Sequence, residues 1–210
     1  MPQLASHFIP AARPDSRRLL IALHGLGDSS EGYEWLPAAL GLRWLNYQLV
    51  NAPDPYHDGF SWFDIYGDRR PGIDRSVLLL TQLLEEIQSR GFKSEDTVLF
   101  GFSQGCLMTL ETGLRYPRRL AALIGISGFL PDYEKLLREK SAVAAEQKIL
   151  VTHGTQDPLL DFKTVKAEMA ALQKAGMNLT WVEYPKAHTI HGDLEIGRIR
   201  QFIQTAFGEL

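Results

Sequence analysis

Apolar residues fall along the chain in two patterns. Short, mostly apolar runs at residues 19–23, 48–50, 98–100 and 149–151 read as strands, and further runs at 121–126 and 179–182 fit the same type. Continuous rather than alternating apolar runs suit strands covered on both faces. Between them apolar positions recur at helical spacing. Leu80, Leu83, Leu84 and Ile87 form one stripe, stopped by Gly91. Leu107, Leu110 and Leu114 form a second, ended at Tyr116-Pro117. Phe162, Val165, Met169 and Leu172 form a third, with Asp161 as N-cap and Gly176 as stop. Ile196, Ile199, Phe202 and Ile203 form the last. Strand and helix alternate from residue 17 to the end, which predicts an α/β fold with a mostly parallel sheet and helices on both faces.

No internal repeat or linker divides the 210 residues, so one domain spanning 1–210 is expected. Residues 1–16 read as an N-terminal extension or edge segment. The longest irregular stretch is 51–73, with Pro53, Pro55, Gly59, Gly67, Pro71 and Gly72. A loop this long in a compact domain is commonly functional. Its aromatics, Tyr56, Phe60, Trp62, Phe63 and Tyr66, want an apolar surface to lie on and would also suit a homodimer contact.

Composition narrows the function classes. Hydrophobic residues are 45% and charged residues 22%, which is globular and excludes a disordered chain. The net charge of −3 offers no excess positive charge for nucleic acid. No apolar run approaches the ~20 residues of a membrane span. Cys106 is the only cysteine, so no intrachain disulfide forms. With no basic-then-apolar leader visible, a cytoplasmic protein is expected.

Four strand ends carry candidate chemistry. The strand at 98–100 runs into Gly101-Phe102-Ser103-Gln104-Gly105 and then a helix, the context G-x-S-x-G requires. A serine at such a tight turn is lifted above the sheet, and the flanking glycines let strand and helix approach. The Gln104 N–H then sits at a helix N-terminus, where a negative oxygen could be held. A glycine-rich loop has the same bare pattern, but the flanking strand and stripe favour a nucleophile turn.

After the first strand, Leu23-His24-Gly25-Leu26-Gly27-Asp28 supplies a second N–H donor at Leu26, with His24 as a structural brace. Gly25-Leu26-Gly27 also resembles the start of a dinucleotide fingerprint. Ser30 stands where its third glycine belongs, and no acid follows the next strand to hold a ribose, which disfavours a nicotinamide enzyme. Asp157, in Thr155-Gln156-Asp157-Pro158, and His188, after Tyr184-Pro185-Lys186-Ala187, follow two further strands. His188 and His191 could pair on a metal, but their spacing alone is a weak signal. Ser103, Asp157 and His188 occur in the chain order of an α/β-hydrolase triad, each just past a strand end.

Taken together these segments resemble the phospholipase/carboxylesterase family of small serine hydrolases, which includes the acyl-protein thioesterases. The 23–28 segment looks like that family's L-H-G-x-G-D oxyanion loop, 101–105 like its G-F-S-Q-G elbow, and 154–158 like its acid turn. Ser61-Trp62-Phe63-Asp64 and Ser127-Gly128-Phe129-Leu130-Pro131 are similar to its substrate-side segments. Two positions depart from the pattern: Cys106 and Ala187 stand where the family has glycine.

The resemblance implies a single α/β-hydrolase domain without a separate lid, acting as a serine carboxylesterase on esters or thioesters. Lysophospholipase and acyl-protein thioesterase are the alternatives, and a hydrolase fold that only binds is a further one. Expected roles are Ser103, Asp157 and His188 as triad and Leu26 and Gln104 as oxyanion donors. Trp62, Phe63, Phe129, Leu159 and Leu160 are expected as an apolar acyl wall. A small ester or acyl substrate is the expected partner, with no cofactor and no metal.

Overall fold

The computed structural model describes residues 3–209. Its strands are β1 (Ser6–Ile9), β2 (Leu19–Leu23), β3 (Asn46–Val50), β4 (Asp54–Tyr56), β5 (Gly59–Ser61), β6 (Thr97–Phe102), β7 (Ala122–Ile126), β8 (Ile149–Gly154) and β9 (Leu179–Tyr184). Its helices are α1 (Leu36–Leu40), α2 (Arg69–Ser89), α3 (Gln104–Arg115), α4 (Tyr133–Glu139), α5 (Phe162–Lys174) and α6 (Gly192–Phe207). The main sheet has the order β1-β3-β2-β6-β7-β8-β9, parallel except for the antiparallel edge strand β1. The extension at 1–16 is thus an edge strand over part of its length.

The apolar runs divide between two cores, because successive strand residues face opposite sides. Leu19, Ile21, Leu23, Leu99, Leu123, Ile149 and Val151 pack with residues of α2, α3 and α5 on one face. Leu20, Ala22, Val98, Phe100, Ile124 and Leu150 pack with α1 and α6 on the other. At roughly 1.5–3 kcal/mol per fully buried aliphatic side chain, both faces need these runs apolar throughout.

The loop expected at 51–73 is shorter and more ordered. β4 and β5 form a hairpin within it, and α2 begins at Arg69, capped by the Asp68 carboxylate accepting the Arg70 N–H at 3.0 Å. Pro71 and Gly72 look like breakers in sequence, but Pro71 lies in the first helical turn, where its missing N–H has no intrahelical partner to lose. β3 starts earlier than its apolar run. Polar Asn46 belongs to it because its side chain accepts from the Ala11 N–H and donates to the Ser16 and Arg18 carbonyls.

The strand order reverses between β2 and β6, with β3 on one side and β7 to β9 on the other. In open α/β sheets the crevice at such a switch point, outside the carboxyl ends of the strands, is where ligands bind. Leu26 follows β2 and Ser103 follows β6.

Candidate active site

Ser103 sits between β6 and α3 with φ 54° and ψ −116°, a left-handed conformation that strains a residue bearing a Cβ. Close packing enforces the turn. A Cβ on Gly101 would lie 2.1 Å from the Gly105 carbonyl oxygen, and one on Gly105 would lie 2.1 Å from that of Leu23. Only glycine lets α3 press this closely against β6 and β2. The Ser103 N–H donates to the Ile126 carbonyl at 2.9 Å, tying the turn to β7.

His188 meets both expected partners. Its Nδ1–H donates to Asp157 Oδ2 at 2.7 Å, which leaves Nε2 to accept the Ser103 hydroxyl at 2.9 Å. The Asp157 side chain is fully buried, and its Oδ1 accepts the N–H groups of Leu159 and Leu160 at 2.9 and 3.0 Å. Burial pushes the Asp157 carboxyl up, but these hydrogen bonds outweigh it and hold the group below its ordinary value. The buried His153 ring lies 3.6 Å from Asp157 Oδ2. Burial lowers the His153 pKa, so it approaches as a neutral imidazole and leaves the carboxylate charge for His188. With both ring nitrogens of His188 engaged, the alternative pairing with His191 finds no support. The His191 backbone N–H donates to Glu195 Oε2 at 2.5 Å, at the start of α6.

The Leu26 and Gln104 N–H groups have no hydrogen-bond partner among the described residues. The loop that carries Leu26 is held from several sides. His24 Nδ1–H donates to the Gly25 carbonyl at 2.6 Å, and His24 Nε2 accepts the Ala52 N–H at 3.0 Å. The hairpin clamps the next residues: the Gly27 N–H donates to the Phe60 carbonyl and the Phe60 N–H to the Asp28 carbonyl, both at 2.9 Å. The brace expected of His24 is therefore its geometry here.

The acyl wall needs correction. Trp62 and Phe63 are both 0% exposed. The Trp62 indole N–H donates to the His24 carbonyl at 2.9 Å, so Trp62 buttresses the oxyanion loop from within the core. Phe63 lies behind half-buried Phe129, ring centroids 6.3 Å apart. Leu160 is half-buried, whereas Leu159 projects into solvent at 71% exposure. A bare aromatic in a loop gives no sign of which way it faces.

Two positioning groups were not singled out in the sequence. The Gln104 side chain accepts the Trp62 N–H at 3.0 Å and donates to the Phe63 carbonyl at 3.0 Å, pinning the substrate-side segment to α3. Lys186 and Glu195 form a buried ion pair, Nζ to the two carboxylate oxygens at 2.6 and 2.8 Å, beneath the His188 loop. The signal was available: Lys186 stands two residues before His188 and an acid follows in the next helix.

The two family departures are accommodated locally. Cys106 fills space left by Gly125 and Gly128, where an added Cβ would lie 2.4 and 2.3 Å from its sulfur. Burial pushes the Cys106 thiol up to about 12, so it is a protonated core group and not a nucleophile. Ala187 is exposed, and its side chain meets no such constraint.

Sheet order, elbow and site position together define an α/β-hydrolase. The phospholipase/carboxylesterase family model matches residues 4–207, and the chain belongs to that family. Acyl-protein thioesterase 1 of Schizosaccharomyces pombe is 36% identical over 154 residues, covering 67% of this chain and 69% of that protein. Acyl-protein thioesterase 1 of Debaryomyces hansenii is 28% identical over 225 residues, 94% of this chain and 97% of that protein. Among solved structures, esterase PE8 superposes with a TM-score of 0.88 at 26% identity, over 98% of this chain and all of that one. The Bacillus cereus carboxylesterase, at 16% identity and TM-score 0.82 over 97% of this chain and 95% of that one, shares the fold. The relatives are hydrolases, and no described helix is long and apolar enough to cross a membrane.

Proposed function

We propose that this chain is a serine esterase that cleaves carboxylic esters or thioesters through an acyl-enzyme. The observation that carries this reading is the continuous hydrogen-bonded line from Asp157 through His188 to Ser103. His188 Nε2 takes the hydroxyl proton as Ser103 Oγ bonds to the acyl carbon. The carbonyl oxygen becomes an oxyanion held by the Leu26 and Gln104 N–H groups, each such donor contributing roughly 3–4 kcal/mol. Collapse breaks the bond to the alcohol or thiol, which leaves with the proton from His188. Water then repeats the sequence on the acyl-enzyme, giving the free acid and restoring the serine. Each half-reaction is an addition followed by an elimination, with His188 carrying the proton from nucleophile to leaving group.

Of the five side chains expected as an acyl wall, Phe129 and Leu160 are the half-buried ones, and they are the better candidates for acyl contact. Each methylene they cover would add about 0.8 kcal/mol of binding. The names of the yeast relatives favour thioesters of acylated protein cysteines within this class. A ladder of acyl esters and thioesters separates the readings: a rate maximum at short acyl chains would remove lipid and lipidated-protein substrates.

The class itself is tested by a fluorophosphonate probe. Ser103 should be labelled in the folded protein, and Ser103→Ala should lose label together with at least ~10⁴-fold in kcat. A Ser103→Ala protein that hydrolyses esters at the parent rate would overturn the assignment.

A further inference from the structure

Beside the imidazole lies a cavity that the hydrolytic reading does not yet use. It measures about 350 Å³ and is lined by Asp28, Tyr33, Trp35, Phe102, His188 and Ile190, among others. None of Phe129, Leu159 and Leu160 borders it. The volume falls at the small end of small-molecule sites, which run from ~300 to 1,000 Å³.

We propose that this cavity receives the leaving group and selects an aromatic or cationic alcohol or thiol over an anionic one; the proposal rests on the serine-esterase reading above. The position follows from proton delivery. His188 must protonate the departing atom, so that atom passes within hydrogen-bond reach of Nε2. Its substituents then need room next to the imidazole, and this cavity is the space His188 itself lines.

The selectivity follows from the walls. Trp35 is 40% exposed, its ring 6.2 Å from that of buried Tyr33. Phe102 lies 5.0 Å from the His188 ring. These rings form part of the cavity wall. Asp28 brings a carboxylate to the same space. Its Oδ1 accepts the Ser29 N–H at 2.7 Å, and among the described residues it has no ion-pair partner. An unpaired carboxylate beside an indole attracts a cation, which the ring quadrupole also favours, and repels an anion. Asp28 is held here by backbone: the hairpin bonds at Gly27 and Asp28 fix the main chain, and a Cβ on Gly32 would lie 2.1 Å from Asp28 Oδ1. The absence of a side chain at Gly32 is what lets the carboxylate occupy that place.

The experiment uses acetate esters with one acyl group and different phenols: phenyl acetate, 4-(trimethylammonio)phenyl acetate and 4-carboxyphenyl acetate. All form the same acetyl-enzyme, so differences in kcat/KM, each divided by the ester's alkaline hydrolysis rate, report the leaving-group site alone. The wild-type enzyme should favour the trimethylammonio ester over the carboxy ester by about tenfold at low salt, the effect of one charge pair in a partly wet site. Asp28→Asn, which keeps the Ser29 hydrogen bond, should compress that ratio to about twofold. Trp35→Ala should cost the trimethylammonio ester about threefold relative to methyl acetate, with Trp35→Phe restoring most of it. A flat wild-type ratio overturns the proposal without any variant having to fold. So does a Trp35→Ala protein whose acyl-chain preference shifts while its leaving-group ratios stay fixed, since the cavity would then hold the acyl chain. Failure of the parent reading looks different: wild-type Ser103 would resist the fluorophosphonate, and all three esters would survive.

Discussion

Replacing Glu195 by Gln removes one charge of the buried pair beneath the His188 loop and keeps the side-chain shape. The Lys186 and Glu195 side chains are 1% and 0% exposed, with Nζ 2.6 and 2.8 Å from the carboxylate oxygens. Breaking such a pair from one side costs roughly 3–5 kcal/mol, because the remaining charge stays buried without compensation. For a chain of this size each kcal/mol shifts Tm by about 2–4 °C, so a fall of roughly 10 °C is expected. Against a total stability of about 5–15 kcal/mol, the variant should still fold at room temperature. Burial already pushes the Lys186 pKa down while Glu195 pulls it back up. In Glu195→Gln burial outweighs the remaining pull of the Asp157 carboxylate, so the unfolded chain binds the lysine proton more tightly than the folded one. Stability then rises with pH as that proton is lost, and the deficit should shrink from pH 7 to pH 9. Activity should fall as well, since the Lys186 carbonyl accepts the Gln156 N–H at 3.1 Å and so joins the His188 loop to the Asp157 turn. Calorimetry at both pH values and kcat/KM at pH 7 check this. The double variant Lys186→Met/Glu195→Leu should recover most of the Tm loss. A Glu195→Gln melt within ~2 °C of the parent at pH 7 would refute the reasoning.

Other outcomes follow from the packing and the titrating groups. Gly128→Ala would drive a methyl to within 2.4 Å of the Cys106 Cβ, so it should cost about 1–3 kcal/mol in urea unfolding, part of it recovered by adding Cys106→Gly, which removes that Cβ, and less by Cys106→Ala, which keeps it. Burial depresses the pKa of both His24 and His153, so their unfolded forms take protons first. Stability should therefore be complete above pH ~7 and decline as pH falls through the unfolded value of about 6.5, with a shallower decline in His153→Phe, measured by urea titration at pH 7.5, 6 and 5. Asp157 runs in the same direction at lower pH: its contribution is present above the ordinary carboxyl range and fades as pH drops through its depressed folded value. Gln104→Ala keeps the backbone donor but frees the Trp62 and Phe63 segment, so roughly 1–3 kcal/mol of stability and part of kcat/KM should go, with fluorophosphonate labelling retained at a reduced rate.

The apolar runs determined the sheet and its coverage on both faces, because a strand buried twice has no polar position to spare; 19–23 and 149–151 could be little else. The steric demand of the elbow was equally plain, since Gly101 and Gly105 flank Ser103 at the only spacing that lets strand and helix close. The apolar runs preceding Ser103, Asp157 and His188 put each of them just past a strand end. What the chain alone left undecided was direction and partnership. The start of α2 was hidden by Pro71 and Gly72, whose effect depends on which helical turn they occupy. Whether Trp62 faces substrate or core turned on a hydrogen bond to His24, 38 residues away. That Lys186 and Glu195 pair in the interior, and that Asp28 and Trp35 share one cavity with His188, depend on distances between segments that only folding sets. Local sequence carries local sterics and the burial period; which groups remain unpaired, and what they face, is settled by the packing of elements far apart along the chain.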